Sequence, residues 1–362
     1  MKNNNVQNYL YGLATDTKNG FLPALLKGFL FILSLFYGAV VSVLIFIKGV
    51  NKTHLGCKVI SIGNITVGGT GKTTLVEYIA SYLKSQGKKV AILTRGYKRG
   101  ATSLPHQASS VKNMGDEPMM LAKNLDGVFV VVDANRIRGA KKAIHDYQAD
   151  TVVLDDGFQQ WKVKKDLEIV TIDATDPFGN RHLLPRGLLR EPLSSLKRAE
   201  IIFLTKTNLN PDIVEVKDYL SALNPKAMIV EAQHTPLGVY KFGESNLVQS
   251  LDNIKDKTVV LLSGIGDPDS FENLVSSLGV KVAASFRFAD HHNYTQEQLN
   301  QVVKDSLSKN ADAILTTEKD AVRLDSLDLK IYDLQLMVLR IKLKIANDEQ
   351  RFHNRLLRIY TA

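Results

Sequence analysis

A run of glycines interrupts an apolar segment and leads into a lysine and two threonines: Val59-Ile-Ser-Ile-Gly-Asn-Ile-Thr-Val-Gly-Gly-Thr-Gly-Lys72-Thr73-Thr74. Val59 to Ile62 read as a short buried strand, and Leu75 to Leu83 continue as a helix. Between them Gly68, Gly69 and Gly71 allow a tight turn with its backbone close to a ligand. Strand, glycine-rich loop, Lys-Thr and helix make a phosphate-binding P-loop. The amides of Gly68, Gly69, Thr70, Gly71, Lys72, Thr73 and Thr74, at the positive end of the helix, are suited to holding polyphosphate. Lys72 is placed to reach the β- and γ-phosphates and the Thr73 hydroxyl to ligate Mg²⁺, so ATP and Mg²⁺ are the expected cofactors. One position departs from the pattern: Thr66 stands where a glycine is usual, six residues before the lysine.

From Lys58 onward strand-like and helix-like segments alternate. Lys89–Thr94, Thr151–Leu154, Leu167–Ile172 and Ile201–Thr205 read as short apolar strands. Continuous apolar strands separated by helices argue for a parallel sheet covered on both faces. A linker with Pro236 and Gly238 precedes a second βα series, in which Leu339–Ile345 alternates as a half-exposed strand does. Asn347 is positioned to cap a last helix running to Tyr360. The expected fold class is α/β: a P-loop NTPase-like, mostly parallel sheet covered by helices, a second smaller α/β domain, and an N-terminal transmembrane helix. The expected divisions are 1–50 for the membrane segment, 51–235 for the P-loop core and 236–362 for the smaller domain.

Residues 1–24 read as polar and irregular. Gly28 to Ile47 then form a stretch of 20 residues without a charge, bounded by Lys27 and Lys48. As a helix it would be about 30 Å long, the thickness of a bilayer's hydrocarbon core. The run is too long, starts too late and lacks the cleavage site of a signal peptide. It also lacks a polar face, although a helix lying partly in the interface remains an alternative. No acidic residue occurs between Asp16 and Glu77, so the neck beside the helix is basic and suits anionic headgroups. Because ATP is cytosolic, residues 51–362 are expected on the cytoplasmic side.

The net charge of +9 allows a nucleic acid, an anionic membrane or a phosphorylated substrate as partner. Nucleic acid is disfavoured, because the basic residues are dispersed and no aromatic-basic RNA motif occurs. The single cysteine, Cys57, excludes an intramolecular disulfide and a cysteine-based zinc site.

Four further clusters carry chemistry. Val152-Val-Leu-Asp155-Asp156 fits a Walker B strand, with carboxylates placed for Mg²⁺. Gly115-Asp116-Glu117-Pro118 opens a helix; its carboxylates either complement the helix dipole or include the base that a kinase acting on an alcohol needs. Asp290-His291-His292 can relay protons or sit hydrated on the surface. Arg136 and the run Arg186-Gly-Leu-Leu-Arg190-Glu191-Pro192 offer guanidinium forks for phosphate.

Taken in order, Ile62–Thr73, Thr94-Arg-Gly-Tyr97, Gly115–Pro118, Leu154-Asp-Asp-Gly-Phe-Gln159, Leu184–Pro192, Phe288-Ala-Asp-His-His292 and Thr316-Thr-Glu-Lys-Asp320 resemble tetraacyldisaccharide 4′-kinases, the lipid A pathway kinases of Gram-negative bacteria. The resemblance runs from the apolar helix to about Leu324. It implies a bitopic inner-membrane enzyme that moves the ATP γ-phosphate to the 4′-hydroxyl of a tetraacylated glucosamine disaccharide 1-phosphate. It further implies Asp116 as base, assisted by His291, across a cleft between the domains. Lys72 and Thr73 match nucleotide and Mg²⁺ positions, with Glu117, Asp155 and Asp156 near the metal. Arg136, Gln159, Arg190 and Glu191 match other active-site positions. Family members usually carry His after the Asp-Gly-Phe-Gln run, where this chain has Gln160. Glutamine cannot take a proton charge, so a proton-transfer role does not extend to it. Competing readings are a membrane-tethered ATPase switch of the partition or targeting type and a kinase or ligase of soluble metabolites. The first wants a lysine where Val67 stands; the second has no use for the apolar helix.

Overall fold

The computed structural model describes residues 2–95, 102–104, 114–210, 212–244, 247–328 and 334–361. Gly96 and Tyr97 of the Thr94–Tyr97 motif lie outside them. The chain divides into two compact units: residues 1–95, 133–233 and 345–362 form the first, residues 96–132 and 234–344 the second.

In the first unit the strands run in the order Ile201–Thr205, Leu167–Asp173, Lys58–Gly63, Thr151–Asp155, Val90–Thr94, all parallel. The start of the strand Met228–Lys241 adds to the Ile201–Thr205 edge. Both faces of the sheet are covered, which is why Val90–Thr94, Thr151–Asp155 and Ile201–Thr205 are buried at every position. The helix Lys72–Ser85 inserts Leu75, Val76, Ile79, Ala80 and Leu83 into that cover. Cutting Leu83 back to Ala would cost about 2–5 kcal/mol. The P-loop strand is central, and Ile62 lies opposite Asp155 in register, so the loops after both strands leave at one edge of the sheet. The approach there is close: a Cβ on Gly63 would come within 2.6 Å of the Phe158 backbone nitrogen.

The N-terminal segment is more ordered than its composition suggests. Lys2–Ala14 is helical, and the apolar helix runs from Phe21 to Val50, longer than the uncharged stretch. Asparagines hide the first helix, being poor helix formers, and Pro23 is tolerated because it falls in the first turn of the second. That second helix is long and apolar enough to cross a membrane, with a mean hydropathy of 2.7 over 18 residues.

In the second unit the parallel order is Lys281–Arg287, Thr258–Ser263, Ala313–Thr317, Gln335–Ile345. Thr102–Leu104 pairs antiparallel with Phe129–Val132. Helices Pro268–Ser276 and Gln296–Ser308 bury Phe271, Val275, Leu299 and Val302 against this sheet.

Two expectations are corrected. The linker around Pro236 and Gly238 is part of a continuous strand, Met228–Lys241. Gly238 is needed there because a Cβ would meet the Gln249 carbonyl at 2.4 Å. Asn347 caps no helix: its side chain exchanges hydrogen bonds with Glu231, and the last helix, Glu349–Leu357, starts after Asp348 without a side-chain cap.

Candidate active site

In the first unit the P-loop is held from below and open above. Thr205 Oγ1 donates to the Thr70 carbonyl, and the Thr70 and Thr171 hydroxyls meet at 2.7 Å. Val67 N donates to Leu188 O at 2.8 Å, and Thr66 forms an antiparallel bridge with Leu189. That bridge explains the departure from the glycine pattern: Thr66 sits in extended backbone, where a β-branched residue is favoured. Gly68 has φ +129° and Gly71 φ +75°, which a side chain would strain. A Cβ on Gly68 or Gly69 would meet nothing within 4 Å. No side chain caps the helix that follows, so its positive end is presented to whatever lies over the loop. These features fit a bound polyphosphate.

Lys72 Nζ lies 3.8 Å from Asp156 Oδ1, and Arg190 Nη1 donates to both oxygens of that carboxylate at 2.9 and 3.0 Å. Burial works against the Asp156 charge, but Lys72 and Arg190 outweigh it and hold the carboxyl below its usual range. Asp155 is buried at the end of its strand, and Arg136, buried too, donates to the carbonyls of Asp133 and Asp155. Arg136 Nε has no partner, and burial pushes the guanidinium down from its usual value. Thr73, Asp155 and Asp156 are hard oxygen donors, as Mg²⁺ prefers. Among the described residues no group of three or more His, Cys, Asp or Glu could hold a metal alone. A Mg²⁺ ion that takes part of its shell from phosphate and water needs no such group.

In the second unit Asp116 opens the helix Asp116–Asn124. Its Oδ2 receives His291 Nδ1 at 2.8 Å, Arg323 Nε at 2.8 Å and Arg323 Nη2. Burial opposes the Asp116 charge, yet His291 and Arg323 together hold the carboxyl well below its usual range. The hydrogen bond to Asp116 raises His291, against its own burial. His291 has φ +57°, a left-handed conformation, and its backbone N–H is held by Asp290 Oδ1 at 2.9 Å. Glu117 pairs with Lys319. Asp116 and His291 thus belong to one compact unit and are already in contact, so the pair is not divided between separate bodies as the sequence suggested.

The tetraacyldisaccharide-1-P 4′-kinase family model matches residues 26–361. The chain belongs to that family. A tetraacyldisaccharide 4′-kinase of Desulfatibacillum aliphaticivorans is 34% identical over 354 residues, covering 93% of each chain. One from Anaeromyxobacter dehalogenans is 38% identical over 279 residues, 75% of this chain and 73% of that one. Among solved structures, LpxK from Aquifex aeolicus in complex with ATP has a TM-score of 0.75 at 28% identity, covering 92% of this chain and 99% of that one.

Within this kinase framework the remaining expected positions separate by environment. Glu191 is fully buried; it accepts from Gln159 at 3.0 Å, Trp161 at 3.1 Å and Arg198 at 2.8 Å. It ties the loop after Thr151–Asp155 to the segment after Leu167–Asp173. Gln159 also donates to the Asn64 carbonyl. Arg186, offered by the sequence as a phosphate fork, is engaged elsewhere, with Asp16 and the Leu13 carbonyl. His292 stacks on Phe288 and meets Gln298 Oε1 at 2.9 Å. Gln160 closes a turn, N–H to the Gly157 carbonyl.

Three residues of the second unit escaped assignment from sequence: Lys319, Asp320 and Arg323. Asp320 Oδ1 receives Gly264 N, Tyr294 OH and Arg323 Nη1 and so fixes the guanidinium that grips Asp116. The signal was available in the Thr316–Asp320 motif: Arg323 follows Asp320 at helical i,i+3 spacing.

Proposed function

We propose that this kinase transfers the γ-phosphate of Mg²⁺-ATP to the 4′-hydroxyl of a tetraacylated glucosamine disaccharide 1-phosphate, at the cytoplasmic face of the bacterial inner membrane. The observation that carries the reading is the 2.8 Å contact between Asp116 and His291, in a chain whose P-loop helix end is left uncapped.

The P-loop amides and Lys72 bind the triphosphate and neutralise the charge that builds on the transferred group. Thr73, Asp155 and Asp156 would hold Mg²⁺, which supplies further charge neutralisation, with Glu117 assigned near it by the family pattern. Arg190 keeps Asp156 oriented, and Arg136 supplies positive charge behind Asp155. Gln159 and Glu191 support the loop that carries the aspartates.

For acceptor activation, Asp116 takes the 4′-hydroxyl proton while the sugar oxygen bonds to phosphorus and the bond to the ADP oxygen breaks. With three donors on Oδ2, Oδ1 is the oxygen assigned to that proton. His291 shares the charge through its hydrogen bond. The test is incubation of the purified chain with γ-labelled ATP and the lipid acceptor, followed by location of the label. Label at the 4′ position supports the proposal; label released only as inorganic phosphate favours an ATPase switch.

A further inference from the structure

The turn after the strand Thr151–Asp155 carries both carboxylates assigned to Mg²⁺, and its backbone is not relaxed. Asp156 has φ +54°, in the left-handed region, which a residue with a side chain occupies at a cost. Gly157 follows with no room for a Cβ, which would lie 2.6 Å from Ser61 Oγ and 2.7 Å from Leu154 Cβ. Such a conformation persists only where its surroundings hold it. Gly157 N donates to the Ile62 carbonyl at 2.8 Å, and Gln160 N donates to the Gly157 carbonyl at 2.9 Å. A further contact comes from a charged side chain: Lys165 Nζ donates to the Phe158 carbonyl at 3.2 Å.

Lys165 is an expensive residue to place there. Its side chain is 8% exposed and pairs with Glu168, which is nearly as buried. Burial pushes the ammonium down from the usual lysine range, although Glu168 works the other way. A buried ion pair of this kind is seldom a gain in stability, because an apolar pair of similar volume does as well or better. The second acceptor of the ammonium, the Phe158 carbonyl, gives it a purpose that an apolar residue could not serve.

Phe158 passes the hold on to the carboxylates. It is fully buried, with Lys165 Nζ 5.8 Å and the Arg198 guanidinium 4.2 Å from its ring centroid. The ring is thus clamped by two cations, and one of them also fixes the carbonyl. Two residues earlier, Asp156 meets Lys72 and Arg190, and Tyr37 OH braces Arg190 through its carbonyl at 2.9 Å. Lys72 and Arg190 hold the carboxylate at its tip. Lys165 holds the backbone behind it.

We propose that Lys165 is a positioning residue for the metal site: its ammonium, bonded to the Phe158 carbonyl, locks the turn Asp156–Gln159 and so preorganises the Asp155 and Asp156 carboxylates for Mg²⁺. Lys165 acts through the turn and not on the ion. Residues that orient ligands from behind are worth about 10–100-fold in metal affinity. The inference rests on the assignment of Asp155 and Asp156 to Mg²⁺ in the proposed function.

The experiment measures Mn²⁺ binding to the full chain in detergent, with ADP present, from the loss of the free-ion EPR signal. Wild type should bind Mn²⁺ more tightly than ADP alone does. Lys165→Met keeps the apolar stem and should weaken Mn²⁺ binding about tenfold, while the Kd for ADP in EDTA is unchanged. Lys165→Gln keeps a neutral donor, serves where methionine is not accommodated, and should fall between wild type and Lys165→Met. Glu168→Gln separates positioning from stability. It breaks the ion pair and leaves the ammonium on the Phe158 carbonyl, so the melting temperature should drop while the Mn²⁺ affinity stays at the wild-type value. Equal losses of Mn²⁺ affinity in Glu168→Gln and the Lys165 variants, or no loss at Lys165, overturn the positioning role. Asp155→Asn and Asp156→Asn test the assignment beneath it. If neither weakens Mn²⁺ binding, the metal reading fails and this inference with it; a loss in these two and none at Lys165 removes Lys165 alone.

Discussion

Arg323 donates through both Nε and Nη2 to Asp116 Oδ2, the oxygen that also receives His291. Three donors on one oxygen keep the carboxylate ionised and fix its orientation. Replacing Asp116 by Asn preserves shape and removes basicity. We expect kcat to fall by about 10²–10⁴-fold, with the KM for ATP little changed. Steady-state kinetics with the lipid acceptor check this, and a near-wild-type kcat would remove Asp116 as the base.

Arg323 itself acts through Asp116 rather than on substrate. Arg323→Lys retains charge and loses the fork. Without the second donor the Asp116 carboxyl should titrate at higher pH, and the acid limb of the kcat/KM profile should move upward. A lower rate with an unmoved limb would reduce Arg323 to a structural strut.

His291 links the pair to stability. Its folded-state pKa is raised from 6.5, chiefly by the hydrogen bond to Asp116. A raised pKa means stabilisation that is complete below pH 6.5 and lost as pH rises through the folded value. Asp116 is depressed below 3.8, so its own contribution disappears only in stronger acid. The stability difference between wild type and His291→Asn should therefore be largest near pH 5.5 and shrink toward pH 9. Urea unfolding at a series of pH values measures it; a difference that grows with pH would contradict the assignment.

Lys72 and Glu191 should separate binding from folding. Lys72→Ala should raise the Kd for ATP by at least tenfold and leave the melting temperature within a few degrees, since its ion pair with Asp156 is long, at 3.8 Å. Glu191→Ala removes a buried carboxylate that three side chains use, and should cost about 3 kcal/mol. Calorimetry with and without nucleotide distinguishes them.

Much of this architecture could be read from residues with strong local rules. Gly68 and Gly71 take positive φ, the apolar strands are buried as read, and a helix opens at Asp116 where the Gly115–Pro118 cluster placed one. What escaped depends on contacts distant in sequence. Pro236 and Gly238 look like a break, and only the approach of Gln249 explains a glycine in a strand. Arg323 looks like a solvated helix arginine until Asp116, about 200 residues earlier, is placed beside it. Glu191 looks like a site carboxylate, and its burial under Trp161 and Arg198 is invisible in one dimension. No composition change marks residues 96–132 as belonging with residues 234–344.

Arg190 offers its carbonyl to Tyr37, its N–H to the Ile65 carbonyl beside the P-loop, and its guanidinium to Asp156. Deleting the first fifty residues to obtain a detergent-free preparation would therefore strip a supporting wall from the nucleotide cradle. Redesign should instead recolour the outward side of the helix, exchanging Phe29, Phe36 or Val43 for glutamate or lysine, and leave Ser34 and Tyr37 in place.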